Sequence, residues 1–343
     1  MPVCLHSDPT GHELSRRTRG LLGRSPIGFH EADSYCLDIG LVNNMPDSAL
    51  QSTERQFLTL IDSAAAGITV RLSLYALPEV PRADSGRNHI ARFYSGIENL
   101  WDSHLDALIV TGAEPRTSNL TDEPYWGSLT RLLEWADQCT HATALSCLSA
   151  HAAVLYLDGI RREPLAEKHV GLFECLRASD HQLSSGLPSN FSVPHSRWNG
   201  ISEKELSECG YQTLTRTRDS SVDTFVRQKK AQFVLFQGHP EYDANSLLLE
   251  YRRDVGRYLR RETETYPQIP KNYFNANTLG TLTALQERAL CDRREVPLSS
   301  FPTARLESGL TNTWRSAARC IWGNWLGSLC AKKERGRTLS VGR

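Results

Sequence analysis

Residues 142–157, ATALSCLSAHAAVLYL, decide how the rest of the chain is read. A short apolar run stops at Cys147 and small and apolar residues follow without a breaker, so the segment reads as strand, sharp turn and helix, with a sulfur at the turn. A side chain at such a turn stands above the end of its sheet. The helix N-terminus beyond it favours a thiolate and offers backbone N–H groups, Leu148 first, to a developing oxyanion. Taken alone, a cysteine here is more often an inert core thiol, because cysteine is among the most buried residue types.

The same alternation extends outward. CLDIGLV (36–42) is an apolar run ending in the turn-like NNMPDS, and Leu50, Phe57, Leu58 and Ile61 then recur at helical spacing. ITVRLSLYAL (68–77), a helical stretch to Trp101, LDALIVTG (105–112) and YWGSLTRLLEWADQ (125–138) continue the pattern. Strands alternating with helices imply an α/β fold, a parallel sheet with helices on both faces. Ligands collect at the carboxyl ends of such strands, where LVNNMP, IVTGAEP and ALSCLSA place their irregular residues.

Beyond residue 160 the pattern loosens, then returns as a hairpin in DTFVRQKKAQFVLFQGHPEYD (223–243) and a helix over 246–261. His239 and Glu241 follow the second strand two residues apart. In extended backbone such residues point the same way, so the carboxylate can orient an imidazole that serves Cys147. By itself, H-P-E is equally a polar loop with a satisfied histidine.

Composition narrows the function. The 343 residues are 40% hydrophobic and 23% charged, ordinary for a folded globular chain, and 39 basic residues balance 39 acidic ones. No charge excess draws the chain to nucleic acid or to an anionic membrane. No apolar run reaches the roughly 18 residues a bilayer span needs, and the N-terminus lacks an apolar signal core. Nine scattered cysteines, none in C-x-x-C or Cys/His spacing, suit a reducing cytoplasm and point to no metal.

Three segments are expected: a polar, flexible arm over 1–33, a catalytic domain over 34–261, and a less regular C-terminal extension over 262–343. The extension carries one amphipathic helix (313–329, with Trp314, Ile321, Trp322 and Trp325) and a basic end, AKKERGR. That helix is expected to pack on the core or on another copy in a homodimer, and the extension to be dispensable for chemistry.

Cysteine after a strand and, roughly ninety residues later, G-H-P-E after another strand occur here in one order together with QFLTLI (56–61), TGAEP (111–115), PYWGSLTRLLEWA (124–136), CLSAHAA (147–153), EKHVG (167–171), PHSR (194–197) and GHPEYDANSLLLEYRRDV (238–255). On these segments, from about Cys36 to about Leu259, the chain resembles the homoserine O-acyltransferases of methionine biosynthesis. The resemblance implies a class I glutamine amidotransferase-like, flavodoxin-like fold and an acyl transfer from succinyl-CoA or acetyl-CoA to L-homoserine. It implies acyl-CoA as co-substrate, with no permanently bound cofactor. It further implies Cys147 as acyl-accepting nucleophile, His239 as general base and acid, Glu241 as its orienting carboxylate, Arg253 for the amino-acid carboxylate, and Lys168 and Ser196 in the substrate pocket. A guanidinium fork suits a carboxylate in a way lysine does not.

Three positions depart from the family's pattern. His151 stands where glutamine is usual, four residues after the nucleophile. NNMPDS replaces N-L-M-P-T-K, so a lysine near the oxyanion site is missing, with Asp47 and Ser48 in its neighbourhood. Arg116 occupies the position where related enzymes carry a small residue with succinyl-CoA or glutamate with acetyl-CoA; arginine would pair with a free succinyl carboxylate, which favours succinyl. Three alternatives stay open: L-serine as acceptor, one methylene shorter; a glutaminase subunit, disfavoured because Leu145 and Ser149 stand where its G-x-C-x-G turn has glycines; and an inactive binding paralogue.

Overall fold

The computed structural model describes residues 3–5, 36–293 and 298–341. The strands of the described residues form one sheet: β1 (Val3–Leu5), β2 (Cys36–Val42), β3 (Thr69–Tyr75), β4 (Ala107–Val110), β5 (Ala142–Ser146), β6 (Glu163–Arg177), β7 (Asn190–Gly200), β8 (Gln212–Thr217), β9 (Val222–Gln228) and β10 (Gln232–Phe236). Their order is β1-β3-β2-β4-β5-β10-β9-β8-β6-β7. From β1 to β10 every neighbouring pair is parallel. From β10 to β7 every pair is antiparallel. The expected hairpin is β9–β10, with Phe236 opposite Thr224.

The helices are α1 (Asp47–Ala64), α2 (Asp84–Phe93), α3 (Ile97–Trp101), α4 (Trp126–Cys139), α5 (Leu148–Asp158), α6 (Glu203–Glu208), α7 (Ser246–Leu259), α8 (Ala276–Cys291), α9 (Thr303–Glu307) and α10 (Arg315–Val341). Alternation along the strands loads both faces of the sheet. In β10, Val234 and Phe236 meet Phe57, Leu58 and Ile61 of α1 and Ile321 and Trp322 of α10. Phe233 and Leu235 of the same strand join the opposite cluster, with Leu129 and Leu132 of α4 and Ala150 and Val154 of α5. None of the described helices is long and apolar enough to cross a membrane.

Two expectations about the chain's ends change. Residues 3–5, expected within a flexible arm, add a parallel edge strand on β3 with Val3 buried, whereas residues 1–2 and 6–33 of that arm lie outside the described residues. The C-terminal extension is helical and inseparable from the core. Trp322 is 2% exposed, edge-on to Phe57 at 5.7 Å and stacked on Phe236 at 5.8 Å. Trp314 joins Leu247, Tyr251 and Val255 of α7 and Leu282 of α8 in a third cluster. Even the basic end is tied down, Lys333 Nζ reaching Asp106 Oδ2 at 2.6 Å and the Cys36 carbonyl at 2.8 Å. The 313–329 helix packs on its own core, through Ile321, Trp322 and Trp325.

Candidate active site

The carboxyl ends of β2, β4, β5 and β10 open onto a cleft of about 380 Å³. Met45, Gly112, Cys147, Leu148, His151, Lys168, Ser196, Arg253, His239 and Glu241 all border it, so residues spread over more than two hundred positions of sequence meet there. Arg82 holds the loop after β2, donating to the carbonyls of Met45 (2.9 Å) and Asn43 (3.0 Å).

Cys147 stands between β5 and α5 with φ 52° and ψ −109°, backbone that a side chain rarely adopts. Its N–H donates to the Phe236 carbonyl at 2.7 Å, and its carbonyl accepts from Ala150 and His151 in the first turn of α5. The turn is therefore clamped by β10 on one side and by its own helix on the other. Gly112, at the end of β4, makes a close approach: a Cβ there would lie 3.1 Å from the Leu148 nitrogen. The first N–H groups of a helix have no intrahelical partner, which leaves the Leu148 N–H beside the sulfur for an oxyanion.

His239 lies over the end of β10, its N–H bonded to the Pro194 carbonyl at 2.8 Å. Gly238 precedes it because a Cβ would strike Val193 at 2.5 Å and Asp223 Oδ1 at 2.7 Å. Nδ1 of His239 meets Glu241 Oε1 at 2.8 Å, and Cys147 lines the same cleft. Ser146 Oγ donates to the same Glu241 oxygen at 3.2 Å, and Tyr242 stacks on the imidazole at 4.2 Å. Burial alone would depress the imidazole, but Glu241 and Cys147 together raise its pKa well above the usual range, so the protonated ring is favoured.

The C-terminal segment fixes this loop: Trp314 Nε1 (3.1 Å), Asn312 Nδ2 (3.1 Å) and Arg315 (3.4 Å) all donate to the Tyr242 carbonyl. The expectation that residues beyond 262 are irrelevant to the chemistry is at odds with these contacts.

The far wall of the cleft is built by α7 and the β6–β7 pair. Lys168 Nζ pairs with Asp254 Oδ2 at 2.9 Å, and Arg253 with Asp254 Oδ1 at 2.9 Å. Ser196 Oγ donates to Glu250 Oε2 at 2.6 Å, and Tyr242 binds the other oxygen of Glu250. Cations and carboxylates thus alternate along this wall. Glu250 and Asp254, which complete it, were not singled out in the sequence, although both stand within the quoted EYRRDV.

Arg116 behaves otherwise. It is exposed on the loop after β4, outside the cleft lining, with its backbone N–H on Glu123 Oε1 at 2.7 Å. The arginines that do border the cleft near the sulfur are Arg162 and Arg197. Asp47, in the place of the missing lysine's neighbourhood, serves the backbone: Oδ2 accepts from Ala83 N at 2.8 Å and Oδ1 faces Arg82 at 3.3 Å. His151 is fully buried beneath the cleft floor. Burial first, then Arg197 and Arg162, push its pKa down to about 3, so it is neutral.

Behind the triad, Cys175, His195 and Asp223 gather in the core, with donor atoms within 4.8 Å of one another. His195 Nε2 faces Asp223 Oδ1 at 3.2 Å, and His195 Nδ1 accepts from Arg197 Nε at 3.3 Å, so this ring holds Arg197 through one nitrogen.

A cysteine, a histidine and a glutamate at adjacent strand ends suit several hydrolases and transferases, and the chain's similarities decide among them. A sequence model of the homoserine O-succinyltransferase family matches residues 26–335. The chain belongs to the homoserine O-succinyltransferase family. It is 45% identical to a homoserine O-succinyltransferase of Rhodopseudomonas palustris over 90% of this chain and 92% of that protein. With one of Thiothrix nivea it shares 37% over 96% and 92%. The family is one of acyltransferases, and the match extends well past the Leu259 limit read from motifs, in keeping with the packing of α10. Among solved structures, a glutamine amidotransferase of Thermotoga maritima is similar at 10% identity and a TM-score of 0.47, covering 86% of this chain and 98% of that one.

Proposed function

We propose that this member of the family transfers a succinyl group from succinyl-CoA to the hydroxyl of L-homoserine through a thioester on Cys147. The observation that carries the reading is His239, buried, hydrogen-bonded to Glu241 and lining the same cleft as Cys147, opposite a wall suited to an amino acid. Sulfur attacks the thioester carbonyl, and the oxyanion forms beside the Leu148 N–H. CoA leaves as a thiol with the proton of His239. The homoserine hydroxyl then gives its proton to His239 while its oxygen attacks the acyl-enzyme, forming the ester and releasing Sγ. Arg253 takes the acceptor's carboxylate, Glu250 and Asp254 its ammonium, and Lys168 and Ser196 hold those acids in place. Acyl-CoA is a co-substrate in this scheme and no resident cofactor takes part.

The test is to mix protein with succinyl-CoA alone and digest it. The peptide holding Cys147 should gain one succinyl mass, and homoserine should then discharge it as the O-ester, with serine a far weaker acceptor. Cys147→Ser should lose turnover by several orders of magnitude. Normal turnover in that variant would sink the mechanism.

A further inference from the structure

Donor choice was expected at Arg116, which lies outside the cleft. Two other guanidinium groups meet the requirement better. Arg162, at the start of β6, borders the cleft and has one Nη2 bond, to the Ser118 carbonyl at 2.9 Å. Arg197, on β7, borders it too, is 4% exposed, and donates through Nε to His195 and through Nη1 to the Asn199 carbonyl at 2.7 Å. Its Nη2 is buried without a partner. An orphaned guanidinium nitrogen in the wall of a cleft is costly unless a ligand completes it.

Both arginines line the same cleft as Cys147, into which any acyl group on that sulfur would extend. The acceptor wall is already committed: Lys168 pairs with Asp254, and Arg253, which also pairs with it, takes the acceptor's carboxylate in the scheme above. The cations of the cleft are therefore of two kinds: Lys168 and Arg253, balanced by Asp254 of α7, and Arg162 and Arg197, without an acidic ion-pair partner in the cleft.

The geometry points to Arg162 and Arg197 as the receptor for the distal carboxylate of a dicarboxylic acyl group held on Cys147. The assignment rests on the acyl-transfer reading above and adds to it the residues that select the donor. Asp223 and His195 are positioning residues, holding Arg197 by its Nε. Arg116 neighbours the Ser118 carbonyl that holds Arg162 and is not itself the receptor.

Butyryl-CoA has the shape of succinyl-CoA without its carboxylate, so the pair isolates the charge. Rates of Cys147 acylation by succinyl-, butyryl- and acetyl-CoA are measured in the wild type, in Arg162→Gln and in Arg197→Lys, the last because deep burial makes a neutral residue there a folding risk. The wild type should prefer succinyl-CoA. Arg162→Gln should lower the succinyl-to-butyryl ratio about thirtyfold or more, the loss typical of removing one partner of a desolvated charge pair. Butyryl acylation and the KM for homoserine should stay within about threefold, which a merely structural role would not allow. Arg197→Lys, which keeps the charge and loses the fork, should lower the ratio less. An unchanged ratio in an Arg162→Gln protein that still acylates would overturn the assignment while leaving acyl transfer intact. Failure of every donor to acylate the wild type would instead overturn the underlying reading, and the assignment with it.

Discussion

His151 shows how one atypical residue writes itself into the protein's pH response. Its imidazole is neutral in the fold, with a pKa of about 3, and near 6.5 once unfolded. As pH falls below about 6.5 the unfolded chain takes the proton first, so the stability this residue contributes is full above that pH and is lost on the way to about 3. His151→Gln, which installs the residue usual in the family, removes the titrating group. Between pH 6.5 and 4.5 the variant should lose about 2 kcal/mol less stability than the wild type, read from urea unfolding at each pH. Parallel pH profiles would show that the ring is not held neutral. Cys147, His239 and Glu241 were legible because each follows an apolar strand at a turn. Arg162 and Arg197 were not, because a cation in an irregular stretch looks the same whether it faces solvent or a cleft, and only the fold over β6 and β7 decides.

At the level of elements, legibility followed periodicity. The strands β2 to β5 and β10 are short apolar runs buried on both faces and were readable as such. The long β6 and β7 were not, since their exposed and buried positions mix and their register shifts between Pro164 and His169. The C-terminal helix was visible, but its seat was not, because an apolar stripe does not say what covers it. Its seat makes a clear prediction. Trp322→Ala should cost about 3–5 kcal/mol, the range for emptying a large aromatic site in a core, and should lower the denaturation midpoint accordingly. A chain ending at Arg261 loses Trp314, Asn312 and Arg315 from the Tyr242 carbonyl together with the α10 face of the core. It should neither unfold cooperatively nor form the acyl-enzyme, and a folded, acylating truncation would contradict this account of the extension.

For the molecule as a whole, the interlocking of segments matters more than the expected boundary at residue 261. The first strand pairs with β3, α10 packs against α1, and Lys333 reaches the Cys36 carbonyl, so chain ends and middle share one core. Unfolding followed by far-UV circular dichroism should therefore coincide with unfolding followed by tryptophan fluorescence, which weights the C-terminal Trp314, Trp322 and Trp325. Separate transitions would mean that the C-terminal part comes away first. The same shared core also bears the unfavourable backbone of Cys147, at φ 52°. Glycine adopts that conformation without a Cβ penalty, so Cys147→Gly should melt higher than the wild type, by about 1 kcal/mol of stability, while making no acyl-enzyme. Selection for a sturdier protein and selection for a working one therefore pull in opposite directions at this single codon, and a descendant freed from catalysis would drift first toward losing its sulfur.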